Sequence, residues 1–193
     1  MDCSLIHNKE MYVLYFIDMT QLQQVQKKYN KDRTVVAHIL IDNYDELFQN
    51  TKDTLRATAT LAIDNVIGDW AQSVGGLLRK TDKESYIFIF KNEDLSTFAD
   101  ERFRILDKVR SLDTGSSSSA TISIGIGLSS KNLTDCDEQA RLALDMALSR
   151  GGDQAVIKTP DGFEFFGGTS KGIEKRSKVK SRVIADNLRD ILK

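Results

Sequence analysis

The sequence predicts an α+β domain, a mainly antiparallel sheet with helices packed on one face in the ferredoxin-like manner. Three observations lead there. Residues 34–41 (TVVAHILI) form a continuous apolar run of strand length, as expected of a strand covered on both faces. Residues 121–128 (TISIGIGL) alternate strictly, with Ile122, Ile124, Ile126 and Leu128 on one side and Thr121, Ser123, Gly125 and Gly127 on the other. Strand and helix patterns follow one another as β-α-β-β-α-β, with a further α-β behind them.

Each element has its own signal. Residues 9–20 read as one strand rich in Tyr, Val, Phe and Ile, and residues 20–29 as a polar helix carrying Leu22 and Val25. A lone strand and a polar helix cannot build a core. Residues 1–31 are therefore expected to be the end of an upstream domain, or a linker that pairs two copies. The main domain starts near Arg33, and Asp42, Asn43, Tyr44 and Asp45 follow its first strand. Leu55, Ala59, Ala62, Ile63, Val66, Ile67 and Trp70 keep helical spacing, with Thr51 or Asp53 as N-cap and Gly75-Gly76 as the break. Residues 77–80 and 85–91 make a hairpin around the polar turn Thr81-Asp82-Lys83-Glu84.

Leu95, Phe98, Arg102 and Leu106 mark a second helix, followed by a Gly/Ser-rich loop at 113–119. Ala140, Ala143, Leu144, Ala147 and Leu148 mark a third, with Thr134 as cap and Gly151-Gly152 at its end. Residues 154–158 read as a strand that turns through Pro160-Asp161-Gly162 into another at 163–166. From Lys171 a last helix begins, striped by Val179, Val183, Ile184, Leu188, Ile191 and Leu192, and is expected to open a further domain.

Composition excludes several classes. With 40% hydrophobic and 28% charged residues the chain is an ordinary globular one, not a disordered one. Its net charge of −1 argues against a strongly basic nucleic-acid binder. No apolar run, residues 12–17 among them, approaches the roughly 18 residues a bilayer requires. Cys3 and Cys136 have no CxxC partner and read as reduced thiols, and His7 and His38 are too far apart to suggest a metal or triad site. Residues 169–193 carry eight basic and three acidic side chains, net +5, against a body of net −6. That tail reads as a solvated helix face or as a connector to an acidic neighbour.

Two stretches carry a resemblance. The strand TISIGIG followed by AxxALxxALxxxGG, and the earlier strand ending ILIDNYD, resemble GGDEF domains, the fold of diguanylate cyclases. Residues 143–158 (ALDMALSRGGDQAVIK) and 165–185 (FFGGTSKGIEKRSKVKSRVIA) are similar to the modified GGDEF domain of the GdpP-type cyclic-di-AMP phosphodiesterases. That family joins two transmembrane helices, a PAS domain, this domain and a DHH phosphoesterase domain. The resemblance implies the end of a PAS domain and a linker helix at 1–31, a degenerate GGDEF domain at 32–168, and the truncated start of the DHH domain at 169–193. It implies a cytoplasmic regulatory domain of a membrane protein that hydrolyses cyclic-di-AMP to pApA. The membrane would be reached only through helices outside this chain. A homodimer and contacts with the PAS and DHH domains are expected; a nucleic-acid partner is not.

The resemblance also implies a site. An active cyclase holds Mg²⁺ on a nucleoside triphosphate with two acidic groups, and hard oxygen ligands suit that ion. Asp42 matches the first, Asp82-Lys83-Glu84-Ser85-Tyr86 lies on the GGDEF signature, and Glu84 matches the retained metal ligand. Asn50 falls where the family's base-contacting Asn lies. Asp42 and Glu84 would hold Mg²⁺ or Mn²⁺, with Asn50, Asp82, Lys83 and Ser85 around the nucleotide. Both signature glycines are gone, and the two phosphate-contacting cations are replaced by Leu148 and Gly152. Phosphoryl transfer depends on such charges, so weak triphosphate hydrolysis is expected and cyclic-di-GMP synthesis is not. From residue pattern alone, Asp42 reads instead as a cap at the strand end and Glu84 as a solvated turn residue. Asp45 reads as a turn cap. A divergent cyclase and a ligand-free dimerisation or relay module stand as alternatives.

Overall fold

A computed structural model of the protein describes residues 2–8, 11–48, 53–116, 118–129 and 132–167, with 2–8 and 11–17 described by their backbone. Among these residues β1 (Asp2–Asn8) and β2 (Met11–Ile17) form a separate antiparallel hairpin, followed by α1 (Thr20–Asp32). Sequence reading expected one strand there and missed its partner. Residues 169–193 lie outside the described residues.

The main sheet is built on β3 (Thr34–Ile41). After it come the short α2 (Tyr44–Leu47), the long α3 (Asp53–Gln72), and the hairpin β4 (Leu77–Lys80) and β5 (Ser85–Lys91). Then follow α4 (Asn92–Asp100), α5 (Ile105–Arg110), β6 (Ile122–Gly127), α6 (Leu133–Ser149), β7 (Gln154–Thr159) and β8 (Gly162–Gly167). The strand order is β4-β5-β3-β6-β7-β8. Only β6 and β7 pair in parallel; every other pair in this sheet is antiparallel.

The helices cover both faces, which corrects the expectation of one. On one face Val35, Ala37, Ile39 and Ile41 of β3 join Ile63 and Ile67 of α3, Phe98 of α4 and Leu106 of α5. On the other, Val36 packs with Cys136 and Ala140 of α6. β3 is buried on both sides, so its unbroken apolar run has a physical cause. The alternation in β6 has one too. Ile122, Ile124 and Ile126 enter the larger core, while Gly125 and Gly127 lie directly beneath α6. A Cβ at Gly125 would collide with the backbone of Ala140 and Leu144, and one at Gly127 with the Cys136 carbonyl. The buried α6 residues are small: Cys136 and Ala140 lie against these glycines, and Ala143 and Ala147 pack on Val156 of β7.

Three local expectations are corrected. The helix read across Leu95, Phe98, Arg102 and Leu106 is two helices. Arg102 and Phe103 adopt φ of 53° and 52° between them, which turns Phe103 into the core. The cap of α6 is Asn132, whose side chain accepts the Asp135 amide at 2.7 Å, and not Thr134. Leu55 is exposed, so the buried stripe of α3 begins at Ala59.

Alanine at Gly125 or Gly127 is expected to destabilise the fold by about 3 kcal/mol, because two backbones must separate. Gly68 lies within α3 with open space around its Cβ position. Gly68→Ala should therefore stabilise by about 0.5–1 kcal/mol. Thermal melts of the three variants check this; a Gly125→Ala or Gly127→Ala protein melting with the wild type would refute the close-packing account.

Candidate functional site

Asp42 and the hairpin turn that carries Glu84 lie side by side at the carboxyl end of β3. The Ile41 amide donates to the Glu84 carbonyl at 2.9 Å and the Asp42 amide to the Thr121 carbonyl at 3.0 Å. The hairpin turn and the entry to β6 thus flank Asp42.

The Asp42 carboxylate is turned inward. Its Oδ2 accepts the Asp153 amide at 2.9 Å. Gly152, with φ +75°, lies flat against it, and a Cβ there would sit 2.9 Å from the carboxyl carbon. Among the described residues Oδ1 is buried with no hydrogen-bond partner, and so is Ser123 Oγ. Burial pushes the Asp42 carboxyl above its ordinary value. The Ser123 hydroxyl, the Asp153 amide and the Thr121 hydroxyl pull it part of the way back. The Ser123 dipole acts across a gap and not through a closed bond.

Asp153, at φ 57°, is itself clamped. Arg110 of α5 grips it with Nε to Oδ2 at 3.1 Å and Nη2 to Oδ1 at 2.8 Å. This bidentate pair fixes the turn that covers Asp42. The end of α6, where the cyclase pattern needs cations, instead offers Leu148 and a glycine pressed on a carboxylate.

The signature hairpin is anchored from below. Tyr86, at the signature's aromatic position, is buried and donates its hydroxyl to Asp64 of α3. Lys80 Nζ reaches both oxygens of the same carboxylate at 2.8 and 2.9 Å. Burial and Asp64 together raise the Tyr86 phenol far above its ordinary value, so it stays a donor. Above this anchor, Asp82 Oδ1 caps the Lys83 amide at 2.7 Å. Lys83 Nζ leans over the Tyr44 ring, 5.3 Å from its centroid, and pairs with Asp45 Oδ1 at 3.1 Å. That hydrogen bond raises the Lys83 ammonium above its ordinary value. The Ser85 carbonyl accepts the amide and the hydroxyl of Thr81, at 2.9 and 3.2 Å.

Asp82 and Ser85 line a cleft of about 500 Å³ between the hairpin and α6, with Thr81, His38, Arg141 and Asp145. Lys83 lies elsewhere, on Tyr44, so the four residues assigned to a nucleotide are not gathered in one place. Asn50 lies outside the described residues. Sequence reading missed His38, whose Nε2 meets Asp137 Oδ1 at 2.6 Å, and Arg141, whose Nε donates to Asp137 Oδ2 at 2.9 Å. Its signal was a polar residue inside an apolar strand, opposite an acid and a base four apart on a helix. It also missed the Arg110–Asp153 clamp, which depends on a fold contact across 43 residues.

Two of the residues carry oxygens of the kind a divalent cation takes. Asp42 Oδ1 is an orphaned oxygen, and the Glu84 carboxylate makes no hydrogen bond or ion pair among the described residues. No group of three or more His, Cys, Asp or Glu among the described residues is placed to hold a metal by itself. Phosphate oxygens and water would have to complete the shell.

Comparison with known proteins supplies the lineage. A family model described as cyclic-di-AMP phosphodiesterase GdpP-like, GGDEF domain, matches residues 39–165. The chain is 38% identical over 181 residues to the cyclic-di-AMP phosphodiesterase GdpP of Bacillus subtilis (strain 168), covering 93% of this chain and 28% of that protein. It is 33% identical over 190 residues to the cyclic-di-AMP phosphodiesterase PdeA of Listeria monocytogenes serotype 1/2a (strain 10403S), covering 98% and 29%. The chain thus spans under a third of the length of these relatives. Among solved structures, the GGDEF domain of DgcB from Caulobacter crescentus, in complex with c-di-GMP, superposes with a TM-score of 0.56 at 17% identity, covering 72% of this chain and 86% of that one. The active GGEEF domain of a diguanylate cyclase from Vibrio cholerae gives 0.57 at 13%, covering 72% and 90%. At such identities the superpositions establish the fold alone. The model match and the curated relatives establish more: this chain belongs to the GdpP-like GGDEF-domain family of cyclic-di-AMP phosphodiesterases.

Proposed function

We propose that this chain is the regulatory domain of a membrane-anchored cyclic-di-AMP phosphodiesterase. It has given up cyclic-di-GMP synthesis and holds a nucleoside triphosphate only weakly. In this reading a PAS domain precedes it, and hydrolysis of cyclic-di-AMP to pApA takes place in a DHH domain that follows. The domain lies on the cytoplasmic side and works as a homodimer. The relatives named for that activity align with this chain over nearly its whole length.

The single observation behind the loss of synthesis is the state of Asp42. One oxygen of the group that should hold the metal is engaged by the Asp153 amide, and Gly152 packs on it where a phosphate-binding cation would be needed. What is left, Asp42 Oδ1 and the Glu84 carboxylate, suits Mg²⁺ or Mn²⁺ on a triphosphate. Such a cation would supply charge neutralisation at the phosphates. Asp42 and Glu84 would fix its place, and Asp82 and Ser85 would border the nucleotide at the cleft.

A second reading, a relay without ligand, is favoured by the clamp itself. Arg110, Asp153 and Asp42 form a closed chain that joins α5, β7 and β3 with no ligand required.

Incubation with ATP or GTP and Mg²⁺ or Mn²⁺, with products resolved by chromatography, separates the readings. Slow diphosphate release, abolished in the Asp42→Ala/Glu84→Ala variant, is the expected result, with cyclic-di-AMP left intact by this chain alone. No turnover would leave the relay, and cyclic-di-GMP among the products would overturn the proposal.

A stability measurement bears on the same carboxylate. The folded Asp42 holds its proton more tightly than the unfolded one, so its contribution is best at low pH and falls as pH rises through the folded value. Without divalent cation, Asp42→Asn is therefore expected to melt at or above the wild type at pH 7. Its advantage should vanish on acidification into the ordinary carboxylate range near pH 4. A clear loss of melting temperature at pH 7 would show that the buried charge supports the fold.

A further inference from the structure

We propose that Arg56 and Lys83 are a phosphate-binding pair for a metal-complexed triphosphate, replacing at a new position the two cations missing at Leu148 and Gly152. The inference rests on the nucleotide-binding reading above and assigns the charges that reading lacks.

Arg56 sits in the first turns of α3. Its guanidinium carbon lies 5.3 Å from the Tyr44 centroid and 5.5 Å from the Phe48 centroid. Tyr44 and Phe48 are themselves buried and packed edge to face, 4.9 Å apart. Arg56 is half-buried and makes no hydrogen bond or ion pair among the described residues. A guanidinium carries five N–H donors in a rigid fork matched to phosphate and carboxylate. Here the guanidinium carbon sits over two rings, and no described residue takes its donors. By contrast, Arg110 spends its donors on Asp153 and Asp107, and Arg141 on Asp137.

Lys83 converges on the same ring from the hairpin turn, 5.3 Å from the Tyr44 centroid. Two cations therefore meet at one aromatic residue, and the charge on Arg56 opposes that on Lys83. The one acid paired with them is Asp45, in an exposed contact with Lys83. Exposed pairs are weak, so Lys83 can exchange Asp45 for a stronger anion with little loss. Tyr44 follows Asp42 by two residues, and Glu84 follows Lys83 directly. Lys83 thus feels the charge of Glu84, and the ring that holds both cations stands two residues from Asp42. Asp45 and Glu84 repel a bare polyanion at this spot, so the ligand it suits is one already neutralised by a divalent ion.

Calorimetric titration of the whole chain in excess Mg²⁺ tests this, with inorganic tripolyphosphate, ATP and adenosine as separate probes. The expected result is that tripolyphosphate and ATP bind with similar affinity and adenosine does not. Arg56→Gln and Lys83→Gln should each weaken both anions by about 10-fold, the scale of one charge-assisted contact. Arg56→Lys keeps the charge but not the fork, and should recover only part of the affinity lost in Arg56→Gln, which separates lost charge from lost donor geometry. If ATP binds to the wild type and to Arg56→Gln/Lys83→Gln equally, this inference is overturned while the nucleotide-binding reading stands. If neither ATP nor tripolyphosphate binds to the wild type, both fall.

Discussion

The depth at which α6 lies on β6 sets the rest of the molecule. Gly125 and Gly127 have no side chains, and Cys136 and Ala140 have small ones, so helix and strand backbones touch. A helix seated that low delivers its last turn at the level of the sheet. Gly151 and Gly152, with φ of 108° and 75°, then reverse the chain within two residues. The next amide, that of Asp153, arrives at the Asp42 carboxylate. With any larger residue at 125 or 127 the helix would ride higher, and its end could not close on β3. The covering of Asp42 is thus a consequence of packing about 8–20 Å of helix away, at roughly 1.5 Å for each of its residues.

The second constraint comes from the opposite side of the sheet. Asp64 collects the Tyr86 hydroxyl and the Lys80 ammonium, tying both strands of the hairpin to α3. A hairpin held at its base presents its turn in one place. This is why Lys83 reaches Tyr44 and Asp45 instead of the cleft in which Asp82 and Ser85 stand. In a glycine-containing signature the backbone itself could approach a ligand; here the side chains of Asp82 and Lys83 occupy that approach. The chemistry available at the turn has moved from backbone to side chains, and with it the place where an anion can be met.

The strands of the main sheet and the long helices were legible in the sequence because each depends on short-range periodicity. The alternation of β6 and the apolar run of β3 carried their burial with them. The split between α4 and α5 was not legible, since it depends on Arg102 and Phe103 taking left-handed backbone that nothing in their residue types requires. The second face of the sheet was half visible. A strand apolar at every position asks for two covers, and that signal from β3 outweighs the simpler expectation of one helical layer. Of the site, the place of Asp42, Glu84 and the signature turn could be read from local motifs. Their environment could not, because Gly152, Asp153 and Arg110 reach Asp42 only through the closed fold, and Arg56 meets Tyr44 only once α2 and α3 have turned on each other.

A carboxylate with one bound and one orphaned oxygen is a poor structural device. Burying a charge without full hydrogen bonding is unfavourable, and the neighbouring Ser123 hydroxyl is orphaned as well. An amide side chain would serve the Asp153 contact without that burden. The arrangement makes more sense where a cation completes it, since a ligand that binds only the folded chain adds its binding energy to stability. Under the proposed function this gain would not stay local. Asp42 closes β3, and Asp153 opens β7 while Arg110 holds it from α5. β7 pairs along its whole length with β8, through which the chain leaves the sheet at Gly167. Loading Asp42 would therefore stiffen the turn, then the strand pair, then the point of exit toward the next domain, which is the order of contacts a regulatory domain needs.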